Sequence, residues 1–170
     1  MQMRFRLFVQ QHSYGAWTVL VPAVPSVSSY AETRDEALAD IRQQLAEHLK
    51  DAGRRAWGKY AFQEQQELRP IALDVPPKGS DAAIPVTVNV LVTDAQVTRN
   101  ARYLVVTAPR LEGFHLVVNE PGELEAQARA ALLHHMRKWK SPAIVEADLD
   151  GSETLEVLTI PAPTLAEPEP

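Results

Sequence analysis

The second half of this chain repeats the first, 87 positions later. The segment from Glu36 to Leu49 aligns without gaps on the segment from Glu123 to Met136, with Glu36/Glu123, Ala39/Ala126, Arg42/Arg129, Leu45/Leu132 and His48/His135 identical. The same offset runs back through Pro22/Pro109 and Val19/Val106, and forward through Leu68/Leu155 and Pro76/Pro163. A repeat of this size means two small structural modules that pack as similar units. The shared residues are mostly apolar, which points to shared packing rather than to a duplicated reactive centre.

Composition bounds what such modules do. At 170 residues and 45% hydrophobic content the chain can build real cores, as one compact domain or two small ones. A net charge of −5 speaks against a dedicated nucleic-acid binder. With no cysteine there is no disulfide framework, thiolate metal site or cysteine nucleophile. No apolar run approaches the roughly 20 residues of a membrane-spanning helix. The start, Met1-Gln2-Met3-Arg4-Phe5-Arg6, leads into alternation rather than the apolar stretch of a signal peptide. The expected setting is a bacterial-type cytoplasm.

Residues 4–9 alternate with period two, placing Phe5, Leu7 and Val9 on one side of a strand. A turn at His12-Ser13-Tyr14-Gly15 precedes a second strand over 16–21, and Pro22 and Pro25 end it because neither can donate to a ladder. A short third strand follows over 27–31. Thr33-Arg34-Asp35-Glu36 reads as a capping box. The helix behind it carries Ala37, Leu38, Ile41, Leu45 and Leu49 on one face and ends near Gly53. Residues 54–67 fit a second helical piece or a loop equally, and 68–75 form a fourth strand.

The second module shows strands at 86–92, 103–108 and 114–118, Pro121 at a first helical position, and the apolar stripe Leu124, Ala128, Leu132, Met136. A last strand spans 155–160. The expected fold is α+β: two tandem β-β-β-α-β modules, each a small antiparallel sheet covered by one helix. The expected boundaries are module 1 at 1–77, a Pro/Gly linker at 78–85, module 2 at 86–163, and a Pro/Glu-rich disordered tail at 164–170.

The run Trp17-Thr18-Val19-Leu20-Val21-Pro22-Ala23-Val24-Pro25-Ser26-Val27, followed by Thr33-Arg34-Asp35-Glu36-Ala37-Leu38, resembles the HicB-like antitoxin family. The family pattern is a strand, Val-Pro-x-Leu-Pro-Gly-Cys, a short strand, and Thr-x-Glu-Glu-Ala opening a helix. Ala108-Pro109-Arg110-Leu111-Glu112-Gly113-Phe114 echoes it in the second module. The Gly-Cys of the pattern is Ser26-Val27 in one copy and Gly113-Phe114 in the other. The resemblance implies a partial ribonuclease-H-like fold without nuclease activity, which acts by binding a protein. In the family that protein is a small mRNA-cleaving toxin. The C-terminal DNA-binding element usual there is replaced here by the second module.

Several constellations carry possible chemistry. Trp57, Tyr60 and Phe62 cluster in a polar stretch, as a partner-binding surface or as packing between modules. Arg137, Lys138, Trp139 and Lys140 are a candidate nucleic-acid contact, with Trp139 stacking on a base, or else cations at a helix C-terminus. The five histidines lack metal-ligand spacing. Asp148-Leu149-Asp150-Gly151-Ser152 lacks the further ligands of a calcium loop and reads as a turn. No Gly-x-Ser-x-Gly elbow surrounds Ser26, Ser28 or Ser29, and no glycine loop cradles phosphate. The edge strand of each module is a candidate for strand addition.

The expectation is therefore a non-enzyme without metal or cofactor. It would be a protein-interaction module, either neutralising a toxin as an antitoxin does or serving as a recognition or regulatory domain in a larger assembly such as an ATPase or protease. A homo-oligomer is open, a membrane role is not expected, and nucleic-acid binding through the basic helix end is the alternative. Leu45→Asp and Leu132→Asp should each unfold the chain, since an unpaired core charge costs several kcal/mol. A Leu132→Asp protein with an unchanged melting temperature would contradict the helix assigned there.

Overall fold

The computed structural model of the chain describes residues 1–96 and 102–165. It is mixed α+β, with two four-stranded antiparallel sheets and helices. In chain order the elements are β1 (Gln2–Gln11), β2 (Trp17–Leu20), β3 (Ser28–Ala31), α1 (Arg34–Ala52), a 3-10 segment (Arg54–Tyr60), β4 (Gln66–Val75), β5 (Ile84–Gln96), β6 (Arg102–Thr107), β7 (His115–Val118), α2 (Leu124–His135), α3 (Ser141–Glu146) and β8 (Thr154–Pro161). Every strand expected from alternation is present. Within the undecided stretch 54–67, Arg54–Tyr60 form a 3-10 helix and Gln66 opens β4.

Local chemistry explains the element ends. The Thr33 hydroxyl accepts from the Glu36 amide at 3.2 Å, so α1 opens on a satisfied donor. Gly53 closes α1 at φ 75°, a left-handed conformation that a side chain would strain. After β2 the chain makes two successive turns, Val24 N–H donating to Val21 O and Val27 N–H to Val24 O. After β6 it repeats them with Leu111 to Ala108 and Phe114 to Leu111. Pro22 and Pro109 sit second in those first turns, where their fixed φ fits.

The chain divides into two compact units. Unit 1 is Met1–Phe62 with Glu153–Pro170, and unit 2 is Gln63–Ser152. In unit 1 the strand order is β3-β2-β1-β8, and in unit 2 it is β7-β6-β5-β4. The two orders are the same once the repeat is applied, but the fourth strand of each sequence half lies in the sheet of the other half. The chain halves exchange strands. Gln2 to Val9 pair with Pro161 to Thr154, and Gln66 to Val75 pair with Thr93 to Ile84.

This corrects the boundaries read from sequence. The 78–85 stretch does not link two modules. It holds the turn of the β4–β5 hairpin and the first residues of β5, inside unit 2. Leu165, at the start of the supposed disordered tail, packs with Ala162 on the core of unit 1; residues 166–170 lie outside the described residues. One further difference is register. Leu20 corresponds to Thr107, 87 positions on, but Phe8 corresponds to Leu91, only 83 positions on, because the second hairpin is four residues longer.

Each unit has its own core. In unit 1, Phe5, Leu7 and Val9 of β1 meet Ala37, Ile41, Leu45 and Leu49 of α1. In unit 2, Val88, Val90 and Val92 meet Leu124, Ala128, Leu132 and Met136. The exchanged strands contribute Leu158 and Ile160 to the first core and Ile71, Leu73 and Val75 to the second. Each such buried side chain contributes about 1.5–3 kcal/mol, so neither sheet face closes without its borrowed strand.

The repeated arginine fastens that strand. Arg42 Nη1 donates to the carbonyl of Thr159 at 3.4 Å, and Arg129 Nε donates to the carbonyl of Ala72 at 3.0 Å. Thr159 and Ala72 occupy equivalent positions in the repeat. Each is an edge-strand carbonyl that the helix arginine occupies. In unit 1 a second tie joins Arg34 of α1 to Glu156 of β8. Among the described residues, no helix is long and apolar enough to cross a membrane.

A protease site inserted between Gly79 and Ser80, then cleaved, leaves one half with β4 and the other with β8. The two halves should co-elute in size exclusion without denaturant. Separation into two free fragments after cleavage would contradict the exchange.

Candidate interaction surfaces

Four strands form the sheet edges: β8 and β4, which carry the arginine ties, and the short strands β3 and β7. On β3 the Ser28 carbonyl accepts from Gln44 Nε2 at 2.7 Å, and the Ser28 N–H donates to Gln44 Oε1 at 3.4 Å. One side-chain amide thus stands where the peptide group of a neighbouring strand would pair. Gln44 is also held by Asp40, one turn earlier on α1, at 2.8 Å. The residue equivalent to Gln44 in unit 2 is Ala131, which has nothing to offer His115, the residue equivalent to Ser28.

Beside β7 lies a surface cleft of about 330 Å³. Phe114 and Ala131 supply its apolar part, and His115, His134, His135 and Arg137 its polar part. His135 meets the ring of Phe114 edge-on at 5.8 Å between centroids. In this otherwise acidic chain the lining is one guanidinium and three imidazoles.

Trp57 and Tyr60 do not form the exposed surface that sequence reasoning allowed. Both are buried in the core of unit 1. Trp57 Nε1 donates to the carbonyl of Leu49 at 2.9 Å, which satisfies an end carbonyl of α1. The Tyr60 hydroxyl and His48 Nε2 lie 2.6 Å apart, and the Tyr60 ring sits 6.4 Å from Phe5. Phe62 is half-buried, with the guanidinium groups of Arg4 and Arg6 at 4.2 and 4.6 Å from its ring centre. The repeat explains this placement: Trp57 and Phe62 correspond to Ile144 and Leu149, both buried in unit 2. Large aromatics fill in one unit what aliphatics fill in the other.

The basic run divides in the same way. Arg137, Lys138 and Lys140 are exposed, and Arg137 Nη1 donates to the carbonyl of His134 at 2.7 Å, at the end of α2. Trp139 packs against the core of unit 2, and its carbonyl accepts from the Lys78 amide at 2.8 Å. The Trp139 ring is partly buried against that core, while the three cations beside it in the chain are exposed.

Several other polar groups are satisfied locally. His12 Nε2 and Thr18 Oγ1 are 2.7 Å apart, and His12 stacks on Tyr14 at 5.0 Å. Ser152 N–H donates to Asp150 Oδ1 at 2.9 Å, so the segment before β8 is a turn. Hydrogen bonds from Arg102 hold the Asp94 carboxyl below the ordinary aspartate range, and Asp94 in turn raises Arg102. What this exposed pair contributes is present above the ordinary aspartate range and is lost as pH falls through the lowered native value. Among the described residues, no three His, Asp or Glu side chains gather as a metal site.

Sequence reasoning identified Arg42 and Arg129 as repeat identities without their role, and passed over Gln44 and Ala131. The signal was in the alignment: one polar, hydrogen-bonding residue opposite an alanine, at positions facing matched edge strands. A scan of protein-family models finds no match to this chain, and neither curated proteins nor solved structures yield a significant one.

Trp57→Ala should destabilise the protein by about 3–5 kcal/mol, read from urea unfolding, as expected for an aromatic lost from a core. A midpoint equal to that of the parent would return Trp57 to the surface.

Proposed function

We propose that this chain is a non-catalytic protein-interaction module made of two HicB-like copies. The observation that carries the reading is how the chain uses its repeat. Among residues common to both copies, Val19/Val106 and Leu45/Leu132 fill cores and Arg42/Arg129 fasten strands. None of these shared residues builds a reactive cluster. Gln44 and Ala131, which differ between copies, lie against short sheet edges, where an extended protein segment can pair.

Two versions fit the resemblance: neutralisation of a small toxin by covering it, and recognition or regulation within a larger assembly. The second copy stands where antitoxins of that family carry a DNA-binding element, which favours the recognition version. The nucleic-acid reading is the weaker one, because the Trp139 ring packs in part against the core of unit 2.

Immobilised full-length chain should retain a protein in stoichiometric amount from lysate of its native cell, and nuclease treatment should not release it. Retention that nuclease abolishes, or retention of nucleic acid alone, would contradict the reading.

A further inference from the structure

The two short edge strands are equivalent by repeat but not in what faces them. The register Leu20↔Ser28 corresponds to Thr107↔His115. Ser29 and Ala31 turn inward in one unit as Leu116 and Val118 do in the other. With side-chain faces and pairing partners matched, the backbone phase is matched too. The bonds to Gln44 show that Ser28 points its N–H and C=O away from β2. His115 therefore points its own away from β6, and Val117, two residues on, does the same. In unit 1 the glutamine blocks the first of these positions. In unit 2 Ala131 leaves it open, beside the cleft lined by His115, His134, His135 and Arg137.

We propose that the β7 edge of unit 2 is a strand-addition site for an extended acidic segment of a protein partner. The inference rests on the protein-interaction reading and names its site. Backbone groups of His115 and Val117 supply the ladder. Alternate side chains of the incoming segment then project on either side of the sheet plane, and those on the helix side meet the cleft. Arg137 of the cleft sets the charge preference, and the exposed Lys138 and Lys140 follow it in the chain. An acidic segment also avoids the like-charge cost that a basic one meets there. The edge is exposed rather than covered: His115 is exposed, and Val117 retains 44% of its accessible surface.

The test uses full-length chain and a fluorescent peptide of about eight residues alternating glutamate with threonine, read by anisotropy. The parent should bind it saturably, and a peptide with lysine for glutamate should bind about tenfold more weakly. Ala131→Gln rebuilds the cap of unit 1 and should lower affinity about tenfold, while Gln44→Ala, in the other unit, should leave it unchanged. Arg137→Glu, an exposed change, should reverse the preference between the peptides, which keeps the test open if Ala131→Gln folds poorly. No saturable binding, equal binding of both peptides, or an Ala131→Gln protein that folds and binds like the parent would overturn the site. If the parent retains a cellular partner and Ala131→Gln retains it equally, the site is wrong and the interaction reading stands. If neither retains a protein, the reading itself fails.

Discussion

The structure depends on two antiparallel ladders that cross the sequence repeat: β1 with β8, and β4 with β5. Each sheet has three strands from one half of the chain and one from the other. Leu158 and Ile160, or Ile71, Leu73 and Val75, complete a core whose remaining residues come from the opposite half. Neither half holds a complete sheet, so neither core can form without the other half of the chain. The duplication is structural as well as sequential: two copies of one motif that each lack a strand and each supply one.

The repeated arginine follows from this dependence. A borrowed strand ends its sheet, with an outward row of unpaired backbone groups. Arg42 and Arg129, each on the helix of its own unit, reach a carbonyl at the same position of the borrowed strand. A long flexible donor suits that task, because its stem lies along the helix while its head meets the strand. The edges at β3 and β7 are treated unequally, with Gln44 set against one and Ala131 against the other. Leu45/Leu132 in the cores and Arg42/Arg129 at the borrowed strands are the same in both copies, whereas Gln44/Ala131 beside the short edges differs.

Much of this was legible in the sequence. Alternation and β-branched or aromatic runs located the eight described strands, the 3.6-residue stripe gave Ile41, Leu45, Leu124 and Leu132 as core, and Thr33 and Gly53 marked the ends of α1. Strand partnership was not legible. Alternation says which face of a strand is apolar and nothing about whose sheet it joins. Ile71 and Leu73 carry the same pattern as Leu158 and Ile160, so either strand satisfies either sheet. The Pro-Pro-Lys-Gly-Ser run looked like a linker because hairpin turns and linkers draw on the same residues. Trp57 looked like a binding residue because a large aromatic in a polar stretch fits a surface as well as a lone core plug, and only its distance to Leu49 O distinguishes them.

Because the chain has no cysteine, a pair of introduced cysteines reports on strand partnership without background. Arg6 faces Val157 across β1 and β8, and in a closed module its partner would instead be the equivalent residue, Pro70. The outward carbonyl of Thr159 makes Arg6 and Val157 a non-hydrogen-bonded pair, with Cα atoms about 4.5 Å apart and within disulfide reach. Mild oxidation of the Arg6→Cys/Val157→Cys chain, followed by mass spectrometry of the unfolded product, should show a disulfide within one chain, while Arg6→Cys/Pro70→Cys should stay reduced. Efficient bonding of the Arg6→Cys/Pro70→Cys chain, with Arg6→Cys/Val157→Cys remaining free, would contradict the exchange of strands on which this account rests.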